Sequence, residues 1–265
     1  MKPFSAAASQ RLLGPLAIRG AIAGLAAGAL LIFLLGRYSD LDLILADAVF
    51  DFSNGAFPLK HAWLTDTFNH VILKWLLMLA ALGFVGSAIV DALRPFAALG
   101  ALDRLRLRIV ALAAVLVPLV ISSLKQASSS HCPWDLARYG GDQPYVRIFE
   151  ALPVGALPGH CLPAGHASSA LWLLALAVYW LPDRPRAARL AAVASIVFGG
   201  VVGVMQQLRG AHFLTHTLWS IWIASAIVLA TIVVMQATSG TSGVKRAPSG
   251  TMDSEAPESE LSEAA

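Results

Sequence analysis

Three short stretches of this 265-residue chain hold the residue types that could do chemistry. They are Lys125-Gln-Ala-Ser-Ser-Ser-His-Cys-Pro133, Pro163-Ala-Gly-His166 and Arg209-Gly-Ala-His-Phe-Leu-Thr-His216. Five of the seven histidines (His131, His160, His166, His212, His216) and both cysteines (Cys132, Cys161) lie in or beside them. Two histidines on different segments can divide labour, one attacking an electrophile and the other protonating the leaving group. A lysine and an arginine nearby can hold developing negative charge, and a guanidinium can grip phosphate oxygens in pairs. A Pro-Ala-Gly-His turn that opens a helix adds unpaired N–H groups and the positive end of the helix dipole, which suits an anion. Its small residues let a phosphate approach the backbone closely. The sum points to phosphoryl transfer through a phosphohistidine, with no metal and no cofactor.

The elements that must position these stretches are membrane spans. The chain is 57% hydrophobic and 13% charged, against about 25% charged in an ordinary soluble domain. That balance describes an integral membrane protein and excludes collagen-like, disulfide-dense and disordered classes for most of the length. The net charge of +3 comes with no basic block outside the apolar segments, which argues against a nucleic-acid partner. A spanning helix needs about 20 mostly apolar residues, and the runs at 17–36, 72–91, 109–124, 166–181, 190–208 and 218–236 qualify, the third and fourth being short. The expected fold is an all-α, six-helix, polytopic membrane bundle over residues 1–236. A Ser-, Gly-, Pro- and Glu-rich tail over 237–265 is expected to be disordered and cytoplasmic.

Twelve of the Lys and Arg residues fall on one side of such a bundle, clustered in short loops, and seven on the other. The positive-inside rule then gives an N-in, C-in orientation. The first span reads as an uncleaved anchor, because no small-x-small site follows it before Arg37. Residues 38–71 are too polar to span, and read as an amphipathic surface helix or, preferably, a packed cap over the bundle. All three chemical stretches open on the outer face, where ionisable groups at span ends are functional candidates by default. The tryptophans mostly sit near span ends, as an interfacial aromatic belt would place them.

Order and spacing now carry a resemblance. The three stretches resemble the type 2 phosphatidic acid phosphatase (PAP2) superfamily, whose signature is KxxxxxxRP, PSGH and SRxxxxxHxxxD. Lys125 and Pro133 match the ends of the first motif, Pro163, Gly165 and His166 the second, and His212 the third. The resemblance implies a bacterial inner-membrane lipid phosphatase with its active site facing the periplasm. His212 would be the nucleophile on phosphorus, His166 the acid for the leaving group, and Lys125 with Gly165 the phosphate cradle. The substrate would be a lipid phosphate or diphosphate, and the other partners membrane lipids.

The chain also departs from that signature. Cys132 stands in place of an arginine, Ala164 of a serine, Met205-Gln206 of Ser-Arg, and His216 of the aspartate that orients the nucleophile. Arg209, one helical turn before His212, or Arg138 would supply a displaced guanidinium, and Asp135 or Asp142 the missing carboxylate. His131, His160 and His216 read as structural or supporting rather than directly chemical. Cys132 and Cys161 each follow a histidine. In an oxidising compartment they read as a disulfide clipping two motif segments together, with free thiols and a zinc site as the competing readings. Two further functions stay open. One is lipid-to-lipid phosphotransfer; the other is a non-catalytic lipid-binding or transport protein, favoured if no carboxylate reaches His212.

Overall fold

A backbone in an apolar medium can satisfy its N–H and C=O groups by bonding to itself along a helix. The computed structural model describes residues 11–241, and the apolar runs there all become helical. In chain order these are α1 (Pro15–Tyr38), the short α2 (Leu41–Asp47), a π-helical stretch (Leu64–Leu73) continuing as α3 (Lys74–Leu93), and α4 (Ala101–Gln126). Then come α5 (Gly165–Leu171), passing into a 3-10 helix (Trp172–Trp180), α6 (Pro185–Leu208) and α7 (Leu214–Thr241). No strand occurs among the described residues. Of the expected tail, residues 242–265 lie outside the described residues, while 237–241 extend α7.

Among the described residues five helices are long and apolar enough to cross a membrane: Pro15–Tyr38, Leu64–Leu93, Ala101–Gln126, Pro185–Leu208 and Leu214–Ser239. The sixth expected segment, 166–181, is the α5/3-10 unit, and it is shorter than the other five. It also has the most protected position. Leu171, Ala175 and Val178 are fully buried among Ile109, Ala113 and Val117 of α4 and Ala224 and Val228 of α7. By contrast α1, α3 and α6 leave Leu16, Leu31, Leu79, Val193 and Val197 exposed. Large apolar side chains facing outward all along a helix fit hydrocarbon as the solvent.

Small residues set the helix approaches. A Cβ on Gly203 of α6 would stand 2.2 Å from Thr217 of α7, and one on Gly199 would stand 2.4 Å from Leu171. On the other side of α7, Trp222 donates its indole N–H to the Leu25 carbonyl of α1 at 2.7 Å.

The polar stretch after α1 forms a cap, and the helical part of it is only the seven residues of α2. Ala46, Phe50 and Phe57 pack with Leu136, Tyr139 and Phe213 in a small second core. The span that follows starts at Leu64, eight residues earlier than its hydropathy suggests. The polar residues that hid this start are buried and bonded inside the protein. The Thr65 hydroxyl donates to the Leu59 carbonyl at 2.5 Å, and the Asn69 amide donates to the Val202 carbonyl at 3.3 Å.

Candidate active site

Lys125 ends α4, and Gly165 with His166 begins α5, so two of the three chemical stretches meet where these helices pack. They line a cavity of about 360 Å³ together with Lys74 of α3. Met78, Ala114, Pro118 and Trp172 give it apolar walls, and no carboxylate is among its lining residues. A Cβ on Gly165 would stand 3.6 Å from Cδ and 4.0 Å from Nζ of Lys125. The Lys125 ammonium thus lies against the first turn of α5, whose N–H groups have no side-chain cap. Ammonium and helix N-terminus both attract an anion. The His166 ring is covered by the ring of His70, their centroids 4.0 Å apart.

His212 sits in the tight connection between α6 and α7. Gly210 has φ of +75°, and a Cβ there would collide with Phe57 at 2.3 Å, so glycine is needed on both counts. The next helix is anchored by the cap: Asp42 accepts the Thr215 N–H at 3.0 Å and the Thr215 hydroxyl as well. A carboxylate at a helix N-terminus answers the dipole and the unpaired amides together. Burial pushes the Asp42 carboxyl above the usual range, and the Thr215 bonds pull it back.

The Ala164 N–H donates to the His216 carbonyl at 3.1 Å, and the Ser220 hydroxyl donates to the Ala164 carbonyl at 3.0 Å. These bonds knit the start of α7 to the Pro-Ala-Gly-His turn. His212 is 3% exposed. Burial first, then the nearby His216, Lys125 and His166, hold its imidazole well below the ordinary histidine value, so it stands neutral with a lone pair available. Its Nδ1 lies 3.4 Å from Sγ of Cys161. No carboxylate hydrogen-bonds His212 among the described residues.

A model of the PAP2 superfamily matches residues 106–239, just over half of the chain and all three chemical stretches. The chain belongs to the PAP2 superfamily. No curated protein and no solved structure matches it.

Against the PAP2 signature, the structure brings Lys125, Gly165 and His166 to one cavity, and His212, on the buried loop between α6 and α7, is not among the residues that line it. Arg209 is buried, and its guanidinium is held by three groups: Asp66 at 2.7 Å, Gln206 Oε1 at 3.1 Å and the Lys60 carbonyl at 3.0 Å. Arg138 goes elsewhere, bound in a two-pronged pair to Asp47 at 2.8 and 2.6 Å on the cap. Asp135 closes its own turn by accepting the Cys132 N–H at 3.2 Å, and Asp142 accepts a bond from Gln143. His131 and His216 line a separate small cavity with Asp42 and Tyr145.

Cys132 and Cys161 are joined in a disulfide. Their sulfurs and a nitrogen of His212 lie within 4.8 Å of one another. With the sulfurs bonded together there is no thiolate to offer, so this donor set does not fit zinc as it stands.

Four residues at these sites were not singled out from sequence: His70, Lys74, Asp66 and Asp42. His70 and Lys74 are four apart at the mouth of a span, a spacing that puts two side chains on one helix face. That was the available signal. Asp42 carried none, since it acts 173 residues away from Thr215.

Proposed function

We propose that this PAP2 chain is a membrane phosphatase that removes phosphate from a lipid phosphate or diphosphate through a phosphohistidine. The observation that carries the reading is the cavity in which Lys125, Lys74, Gly165 and His166 stand above apolar walls. A cationic, acid-free mouth over an apolar slot suits an amphiphile with an anionic head. The PAP2 superfamily is generally of phosphatase type, which agrees. The site would face the periplasm of a bacterial inner membrane, as the distribution of basic residues suggests.

The proposed chemistry follows from the groups present. The phosphate is held by Lys125 and by the amides at the start of α5. Neutral His212 attacks phosphorus in line, forming a P–N bond as the P–O bond to the leaving group breaks. With the anionic phosphate bound, His166 takes up a proton from solvent and passes it to the leaving oxygen as the P–O bond breaks. Water then attacks the phosphohistidine and releases inorganic phosphate, restoring both imidazoles. Because His212 lies on a buried loop, the loop must present its ring to the cavity during turnover.

Phosphate release by the purified protein, measured with short-chain lipid phosphates and diphosphates in detergent containing EDTA, tests this reading. Release that survives the chelator and falls by about 10³-fold or more in His212→Ala is expected, as for loss of a nucleophile. Release that is equal in His212→Ala overturns the mechanism. A second reading, lipid binding without turnover, is favoured by one observation: the Nδ1 of His212 faces sulfur where a carboxylate would hold and polarise it. Binding of the same lipids with no release from any of them would establish it.

A further inference from the structure

An imidazole attacks through whichever nitrogen carries the lone pair, and the neighbour of the other nitrogen decides which that is. In this chain the neighbour of His212 Nδ1 is the Cys132–Cys161 disulfide. Sγ of Cys161 lies 3.4 Å from Nδ1. Cys161 is fully buried, with its sulfur 3.2 Å from the carbonyl oxygen of Ala211, the residue before His212.

The surrounding backbone holds the sulfur there. The N–H groups of Gly159, His160 and Cys161 donate to the carbonyls of Ser129, Ser128 and Ser130 at 3.1, 3.1 and 2.9 Å. Gly159 is packed so tightly that a Cβ would fall 2.5 Å from the His131 backbone. The Trp134 N–H donates to the Gly210 carbonyl at 3.0 Å, which ties the Cys132 turn to the His212 loop. The disulfide therefore joins the first chemical stretch to the segment just ahead of the second, and it touches the third at His212.

We propose that this disulfide positions His212 and fixes its tautomer, so that phosphoryl transfer belongs to the oxidised chain alone. The inference rests on the reading of His212 as nucleophile. A disulfide sulfur can accept a hydrogen bond and cannot donate one. Beside it Nδ1 carries the proton and Nε2 keeps the lone pair. Reduction reverses this arrangement. A dithiol supplies two electrons and two protons, the S–S bond breaks, two thiols form, and the dithiol becomes a disulfide. Cys161 then offers an S–H donor to Nδ1. That favours Nδ1 as acceptor and moves the proton to Nε2, where it blocks attack. Cys161 is thus a positioning residue, acting through His212 rather than on the substrate.

The test uses full-length protein in detergent, oxidised, reduced with dithiothreitol and re-oxidised, with free thiols counted in each state. Two readouts are taken: phosphate release from a short-chain lipid phosphate, and the ¹⁵N-histidine spectrum. Reduction should lower kcat by about tenfold or more with KM little changed, since the wrong tautomer leaves binding intact. Re-oxidation should restore it, and the His212 signals should exchange between the two tautomers. Cys132→Ser leaves the Cys161 thiol in place and should match the reduced chain. Cys161→Ala removes the S–H donor and should keep more activity than Cys132→Ser.

A mere staple would make both variants lose activity together, in step with Tm, and that result overturns the proposal. So does a kcat that is indifferent to verified reduction. If the oxidised chain releases no phosphate from any lipid, the phosphatase reading falls, and the spectrum decides the positioning claim alone. A tautomer change on reduction sustains it, and an unchanged spectrum ends it.

Discussion

His212 shows how one side chain can be prepared by its surroundings. Its loop is shaped by Gly210, its helix is anchored by Asp42, and its ring is buried deeply enough to stay neutral. Burial of this kind has a consequence for stability. The unfolded chain binds a proton on His212 near pH 6.5, whereas the folded chain resists it until the pH is well below that. The unfolded state therefore holds more protons as pH falls below about 6.5, and stability must decline there, approaching about 1.4 kcal/mol per pH unit for one such group. Above that pH neither state binds the proton and the dependence vanishes. Thermal unfolding of wild type and His212→Asn between pH 7.5 and 5 measures it. The variant should show the shallower loss of Tm on acidification, and parallel curves would mean that His212 titrates alike in both states.

At the scale of elements, what was legible in the sequence was what depends on residue type and order. The three chemical stretches, the long apolar helices and the packed cap could all be read this way. What was hidden depends on packing. Thr65, Asp66, Asn69 and His70 look like loop chemistry, yet they sit in a helical stretch because Leu59, Arg209, Val202 and His166 meet their polar atoms or rings. Arg209 reads as a phosphate ligand from its distance to His212, while a carboxylate 143 residues away claims its guanidinium. The passage of α5 into a 3-10 helix has no marker in Leu-Trp-Leu-Leu-Ala. The contact between α6 and α7 is similar: Gly203 is one of 21 glycines, and only the fold shows that Thr217 fills the space of its missing side chain. Gly203→Ala should push α6 off α7, at a cost of about 1–3 kcal/mol for overpacking. The loop carrying His212 joins these two helices, so phosphate release should fall as well. Gly200→Ala, where a Cβ meets nothing within 4 Å, is the matched control. Equal Tm and turnover in the two variants would show that the close approach is not needed.

For the whole molecule, the question is how many times the chain crosses, and the two ends of the chain bear on it. Leu13, before α1, and Gln236, late in α7, exchange hydrogen bonds at 3.1 and 3.2 Å, so the chain enters and leaves at the same end of the bundle. An even number of crossings returns a chain to its starting side, and five long helices alone would not. On the six-span reading the α5/3-10 unit is the sixth crossing. Its seven α-helical and nine 3-10 residues extend about 28 Å, because 3-10 geometry rises ~2.0 Å per residue against ~1.5 Å in an α-helix. That is close to the ~30 Å of a hydrocarbon layer. Its far end is fastened at the basic end of the bundle, where Arg106 donates to the Leu181 carbonyl at 2.6 Å. Arg94 and Arg184 lie in the short connections at that end, and Arg104, Arg108 and Arg186 lie early in α4 and α6, a cluster that the positive-inside rule would place in the cytoplasm. Cysteines introduced at Ala97, in the loop between α3 and α4, and at Val154, in the loop before α5, read this out with a membrane-impermeant maleimide. Val154→Cys should label in intact cells with an opened outer membrane, and Ala97→Cys only after the inner membrane is permeabilised. A fluorescent protein fused to the C-terminus should fold and emit in the cytoplasm. A dark C-terminal fusion with full expression, beside unchanged labelling, would make the α5/3-10 unit re-entrant, and labelling of Ala97→Cys in place of Val154→Cys from the outside would reverse the sidedness of the site.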